Sequence, residues 1–187
     1  NRGTDKRTIF LDKSDYIRFL TLLHICNQNK PIRVKVTERQ GRSLSSLSDS
    51  LVDIGAYCLM PNHFHVLIKE KKDNGISTFM KKVCTSYAMY FNTKNERGGN
   101  LFQGRFRAEL AANDDYLRYL FSYIHLNPIK LKEADWKEKG IKNLNGTINF
   151  LDKYQWSSYL FYTGKKKFDP ILNNDEFPKY FEDFKES

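Results

Sequence analysis

The chain has 187 residues, with 31 Lys and Arg against 22 Asp and Glu, a formal charge of +9. That length suits one domain with a substantial core, and the positive excess points first to a polyanion such as nucleic acid and second to a membrane surface. No stretch approaches the roughly 18 apolar residues of a membrane span, and nothing at the start reads as a signal peptide.

The chain opens on Asn1-Arg2-Gly3 without Met, so part of an opening strand is expected to lie before Asn1. A helix is predicted over Asp15 to Gln28, where Tyr16, Phe19, Leu20 and Leu23 fall at i, i+3, i+4, i+7, with Ser14 as its cap. Ile32 to Thr37 alternates apolar and basic residues and reads as a strand; the polar Glu38 to Ser50 reads as a loop. Two apolar runs, Ile54 to Met60 and Phe64 to Ile68, flank the turn at Pro61-Asn62, which predicts a β-hairpin of Val52–Met60 and His63–Glu70. After the charged turn Lys71 to Gly75, a second helix is predicted from about Ile76 to Asn95. Its stripe is Ile76, Phe79, Met80, Val83, Tyr87, Tyr90 and Phe91, with Lys81 and Lys82 off it on a wet face that attracts phosphate.

Gly98-Gly99-Asn100 breaks that helix. Leu101 to Leu110 reads as extended, with Phe102, Phe106 and Ala108 on one face and Gln103, Arg105, Arg107 and Glu109 on the other. Arg105 and Arg107 would either grip phosphates or form a solvated strand face. Asn113-Asp114-Asp115 caps a third helix, Tyr116 to about Asn127, which Pro128 ends or bends. Its buried stripe is Leu117, Leu120, Phe121 and Ile124; Arg118, Ser122 and His125 should face solvent. Trp136, Trp156 and Tyr159 are expected to pack short C-terminal helices back on the domain. The order of elements gives an α+β fold with helices on one face of a small antiparallel sheet. Cys26, Cys58 and Cys84, odd in number and without a CxxC, read as reduced core thiols of a cytosolic protein rather than zinc ligands or bridges.

The chemistry centres on Asn62-His63-Phe64-His65-Val66. Side chains at i and i+2 of a strand leave the same face, so His63 and His65 project together while Phe64 enters the core. Two adjacent imidazoles can hold a divalent cation; the plain alternative is a pair of half-buried polar residues. On the third helix Tyr123 and Asn127 differ by about 40° and one turn of rise, so a phenol and an amide oxygen can reach one volume. If that helix lies beside the hairpin, the volume is where the imidazoles point. Two imidazoles, an amide oxygen and a phenol suit phosphodiester cleavage by a tyrosine nucleophile next to a Lewis acid. Tyr119, then Tyr116, are the next candidate nucleophiles. No Walker-type phosphate loop occurs. His24 reads as structural. An activated-water phosphodiesterase would need further carboxylates near the histidines, and the sequence places none clearly there.

The segments 57–68, 101–107 (Leu-Phe-Gln-Gly-Arg-Phe-Arg), 116–128 (Tyr-Leu-Arg-Tyr-Leu-Phe-Ser-Tyr-Ile-His-Leu-Asn-Pro) and Trp156-Ser-Ser158, in that order, resemble the REP-associated single-tyrosine transposases of the HUH endonuclease superfamily. Arg2-Gly3, Ile9-Phe10 and Asp15-Tyr16 extend the likeness, which reaches to about residue 160. The Ser-rich stretch Arg42 to Ser50 is longer than the family's usual connection. The resemblance implies a ferredoxin-like α+β domain over residues 1–130 with a packed extension over 131–187. It also implies a Mg²⁺ or Mn²⁺ requirement and cleavage of single-stranded DNA near REP-like hairpins through a 5′-phosphotyrosine. Tyr123 would be the nucleophile, and His63, His65 and Asn127 the metal ligands; Arg105, Arg107, Lys81 and Lys82 are the expected DNA contacts. The protein would act in the cytoplasm on nucleoid DNA, as a monomer or homodimer. The rival expectation is a non-catalytic hairpin-binding protein derived from a transposase.

Overall fold

The structure, a computed structural model, describes residues 1–28 and 49–180. The strand expected over Ile32 to Thr37 and nearly all of the loop after it lie outside the described residues. Helix α1 spans Lys13–Ile25. Its cap is Asp12, not Ser14: the Asp12 carboxylate accepts from the Ser14 and Asp15 amides, while Asp15 Oδ2 accepts from the Asp12 amide. This reciprocal box starts the helix earlier than a serine cap would. Lys94 Nζ, 2.7 Å from Asp15 Oδ1, pairs the charge that burial of Asp15 would otherwise strand. The helix stops short of Gln28 because buried Asn27 turns to the hairpin, accepting from the Leu51 and Val52 amides and donating to the Val52 carbonyl.

Strands β1 (Val52–Met60) and β2 (His63–Glu70) form the predicted antiparallel hairpin, with Met60 opposite His63 and Cys58 opposite His65. A bulge at Gly55 shifts the phase, and a Cβ there would stand 2.7 Å from the Phe177 ring. Every residue of β1 is buried, which requires cover on both faces.

The helices accordingly divide between the two faces instead of lying on one. Helices α1 and α2 (Gly75–Lys94) pack Phe19, Leu22, Phe79, Val83 and Tyr87 against Val52, Ile54, Leu59 and Phe64. Helix α3 (Asp114–Leu126) packs Phe121 and Ile124 against Ala56, Cys58, Met60 and Leu67 on the other face. Burying each of the Val, Leu, Ile, Phe and Met side chains among these is worth about 1.5–3 kcal/mol. Asn113 caps α3, accepting from the Tyr116 amide, and two aspartates in its first turn suit the helix dipole. Pro128 does not stop the chain abruptly; it opens a 3₁₀ turn, Asn127–Leu131, where its missing N–H costs nothing.

Beyond it lie α4 (Trp136–Lys139), α5 (Leu144–Lys153) and α6 (Tyr159–Tyr162). Between α5 and α6 the chain runs along the free edge of β1: Leu59 N donates to Trp156 O, Ser158 N to Tyr57 O, and Cys58 bridges Ser157. Residues 1–3 do the same at β2, with Arg2 bridging His63, and Gly3 in turn bridges Phe102. As expected, Trp156 packs back on the domain, stacked on Tyr16 at 4.5 Å. Leu101 to Leu110 is not a regular strand. Its bridge is confined to Phe102, and Gly104, at φ 83°, breaks the alternation, so Phe106 is half-buried and Ala108 exposed. Cys26 and Cys58 are buried, Cys84 is partly so, and burial pushes the thiols up. Among the described residues no helix is long and apolar enough to cross a membrane.

Candidate functional site

The hairpin turn delivers His63 and His65 to the face that α3 covers. Their ring centroids lie 5.1 Å apart and nearly perpendicular, at 88°. Phe64 between them is buried on the opposite face against Phe19, at 4.6 Å. This is the alternation the sequence predicts.

Asn62 fixes the His63 tautomer. Its amide nitrogen donates to the Lys6 carbonyl, so its Oδ1 is the atom 2.6 Å from His63 Nδ1. An amide oxygen only accepts, so Nδ1 carries the proton and Nε2 keeps its lone pair. Burial is the main cause lowering the His63 pKa to about 3 and the His65 pKa to about 4, with neighbouring positive charges adding. Both rings are neutral at pH 7, the state in which imidazole binds a metal.

Helix α3 brings Tyr123 to this pair. Its ring meets His65 edge to face, at 5.5 Å and 84°. Tyr119 stacks beside it at 5.9 Å, and Lys137 Nζ sits 3.9 Å from the ring centroid. The anchor under this arrangement is a residue expected in solvent. His125 is buried, not exposed, because the segment after α5 covers that side of α3. Its Nε2 lies 2.7 Å from Ser158 Oγ, and Ser158 in turn accepts from the Tyr57 amide of β1. His125 and Ser158 thus lock α3 to the sheet two residues from Tyr123. The sequence signal for them was the Trp156-Ser-Ser158 motif, to which periodicity assigned no partner.

Burial also lowers the His125 pKa to about 4, opposed by a hydrogen bond to the Phe121 carbonyl. The unfolded chain, near 6.5, takes up its proton first. The stability from neutral burial is therefore complete above about pH 6.5 and is lost as pH falls toward 4, about 2 kcal/mol for one histidine by pH 5. Urea denaturation of His125→Gln, compared with the parent at pH 7 and pH 5, should show a smaller loss; equal losses would rule this source out.

Asn127 ends α3. It is buried, its amide nitrogen donates to the Tyr123 carbonyl at 3.4 Å, and its amide oxygen makes no hydrogen bond among the described residues. Arg105 and Arg107 are exposed, on the segment that follows the Gly3–Phe102 bridge at the β2 edge. Lys81 and Lys82 are not brought to the histidines: α2 lies across the other face of the sheet, and Lys82 donates to the Gln28 carbonyl. Tyr119 is 54% exposed, one turn from Tyr123. His24 holds the Pro170 carbonyl, a structural contact. Sequence reasoning missed Arg2, Lys130 and Lys137, whose positive charges all act on the histidine pair.

Among the described residues no cluster of three His, Cys, Asp or Glu side chains is placed for a metal. The donors brought together are two neutral imidazoles; Asn127 lies one turn beyond Tyr123, and no hydrogen bond links it to either ring among the described residues. Such a set leaves several positions open and adds no negative charge, while the surrounding cations favour an anion. These residues fit a divalent ion that completes its shell with water and phosphate oxygens.

A family model described as "Transposase IS200 like" matches residues 19–127. No curated protein and no solved structure matches the chain.

Proposed function

The chain belongs to the IS200-like transposases, and from that premise we propose that it cuts and rejoins single-stranded DNA through Tyr123. The observation that carries this reading is the Tyr123 ring set edge-on against His65, in the face shared with His63. In the proposed reaction the Tyr123 hydroxyl oxygen attacks phosphorus and the bond from phosphorus to the 3′ oxygen breaks. The phenol loses its proton and the leaving 3′ oxygen takes one up. The product is a 5′-phosphotyrosine and a free 3′-hydroxyl. The ester conserves the bond, so a second 3′-hydroxyl reverses the step without a nucleotide cofactor.

His63 and His65, with Asn127, would hold Mg²⁺ or Mn²⁺, which when bound supplies Lewis-acid polarisation of the phosphate. Asn62 keeps His63 in the metal-binding tautomer. Arg2 and Lys130 favour the incoming phosphate, and exposed Arg105 and Arg107 contact the backbone farther along. Tyr123 meets His65 of its own chain, which supports a tyrosine acting in cis, whether the protein is a monomer or a homodimer. Residues 1–130 would form the catalytic domain and 131–187 the extension that braces it. The substrate would be nucleoid DNA carrying REP-like hairpins.

Incubation with single-stranded hairpin oligonucleotides from DNA flanking its own gene and Mn²⁺ should give a covalent protein–DNA adduct on a denaturing gel. Tight hairpin binding with no adduct under any divalent ion would overturn the reading in favour of a non-catalytic DNA-binding protein.

A further inference from the structure

The family match ends at residue 127, yet the closest charge to Tyr123 described above comes from beyond it. Lys137, on α4, holds its ammonium 3.9 Å from the Tyr123 ring centroid. The ring then has three close neighbours: Lys137 over a face, Tyr119 stacked at 5.9 Å and 28°, and His65 nearly perpendicular to it at 5.5 Å. A cation over the ring face is drawn by the ring quadrupole, and the attraction resists rotation of the ring away from it. The phenolic oxygen lies in the ring plane, so a cap on the face leaves that oxygen open to attack.

The short α4 is itself tied down. Glu133, just before it, accepts from the Lys142 amide and the Thr147 hydroxyl, and Lys139 pairs with Asp135 across the helix at 2.9 Å. Lys137 is thus presented from a turn that Glu133 ties to the start of α5.

We propose that Lys137 is a positioning residue for Tyr123, holding the phenol in place over the histidine pair and making the extension part of the active site. The inference rests on the reading of Tyr123 as nucleophile. It goes beyond that reading by assigning a role to a residue outside the matched segment.

The test uses the full chain with Lys137→Met, which keeps length and loses charge, and Lys137→Arg, which keeps a cation able to stack on a ring. At saturating hairpin DNA with Mn²⁺, Lys137→Met should form adduct about threefold to tenfold more slowly with the DNA affinity little changed, and Lys137→Arg should recover to within about twofold. Separately, with no DNA or metal, ¹³C-lysine labelling should show the Lys137 ε protons shifted upfield by the ring current, a shift that disappears in Tyr123→Ala.

Weaker DNA binding at an unchanged saturated rate would make Lys137 a phosphate contact and overturn the positioning role. An unchanged rate in Lys137→Met, or absence of the ring-current shift, would also overturn it. A wild-type protein that keeps the shift but forms no adduct removes the nucleophile reading; Lys137 would then merely pack on a structural tyrosine, and the positioning role falls with it.

Discussion

Tyr123→Phe should bring covalent adduct formation down to the limit of detection, about 10⁴-fold or more, because the attacking oxygen is gone. Folding should be untouched. The Tyr123 hydroxyl makes no hydrogen bond among the described residues, and its contacts with His65, Tyr119 and Lys137 are all made by the ring. Removal of the oxygen alone therefore leaves packing and surface charge as they were. DNA affinity, measured by gel shift on the same hairpin, should stay within about twofold, since phosphate contacts dominate it. Adduct formation that persists in this variant would move the chemistry to another hydroxyl. Tyr119 is first in line, being exposed and one turn away.

The second large effect belongs to the histidines. His63→Ala and His65→Ala should each lower Mn²⁺-dependent cleavage by about 10²–10³-fold, and the double variant should lose its response to added Mn²⁺ altogether. Asn62→Ala should cost less, about 10–100-fold, because it frees the His63 ring without removing it. A titration of adduct yield against Mn²⁺ separates these cases: weakened metal affinity shifts the midpoint, whereas a lost ligand pair flattens the curve. A double variant that still answers to Mn²⁺ would end the two-imidazole account. His65→Ala should still fold, since the ring gives up contacts with Tyr123 and His63 and makes no hydrogen bond among the described residues.

The hairpin was legible to the residue, because Pro61-Asn62 interrupts two apolar runs and the period of two fixes which way each side chain points. The meeting of Tyr123 with His65 was readable as a possibility, since helical spacing put Tyr123 at the edge of the buried stripe. Other features were not reached for identifiable reasons. The continuous apolar run of β1 was itself the sign of burial on two faces, and it outweighed the simpler picture of helices on one face.

His125 fell on the polar side of the helical wheel. A wheel does not record that a serine 33 residues later would arrive to bond it. The extended reading of Leu101 to Leu110 failed at Gly104, where a left-handed residue resets the phase. Lys137 lies in a four-residue helix, too short for any periodicity to speak. The Asp12 cap was overlooked because Ser14 is also a good capping residue, and the deciding partner was Asp15, itself a carboxylate.

The flanking segments along the hairpin have a further consequence. Backbone groups on the outer rim of β1 are engaged by Trp156 and Ser158, and those beside His63 by residues 1–3. Excision of residues 19–127, the matched portion, would strip away both borders at once. Its hairpin would lose the backbone partners that Trp156, Ser158 and residues 1–3 supply, and strand edges bared in this way can pair with further strands.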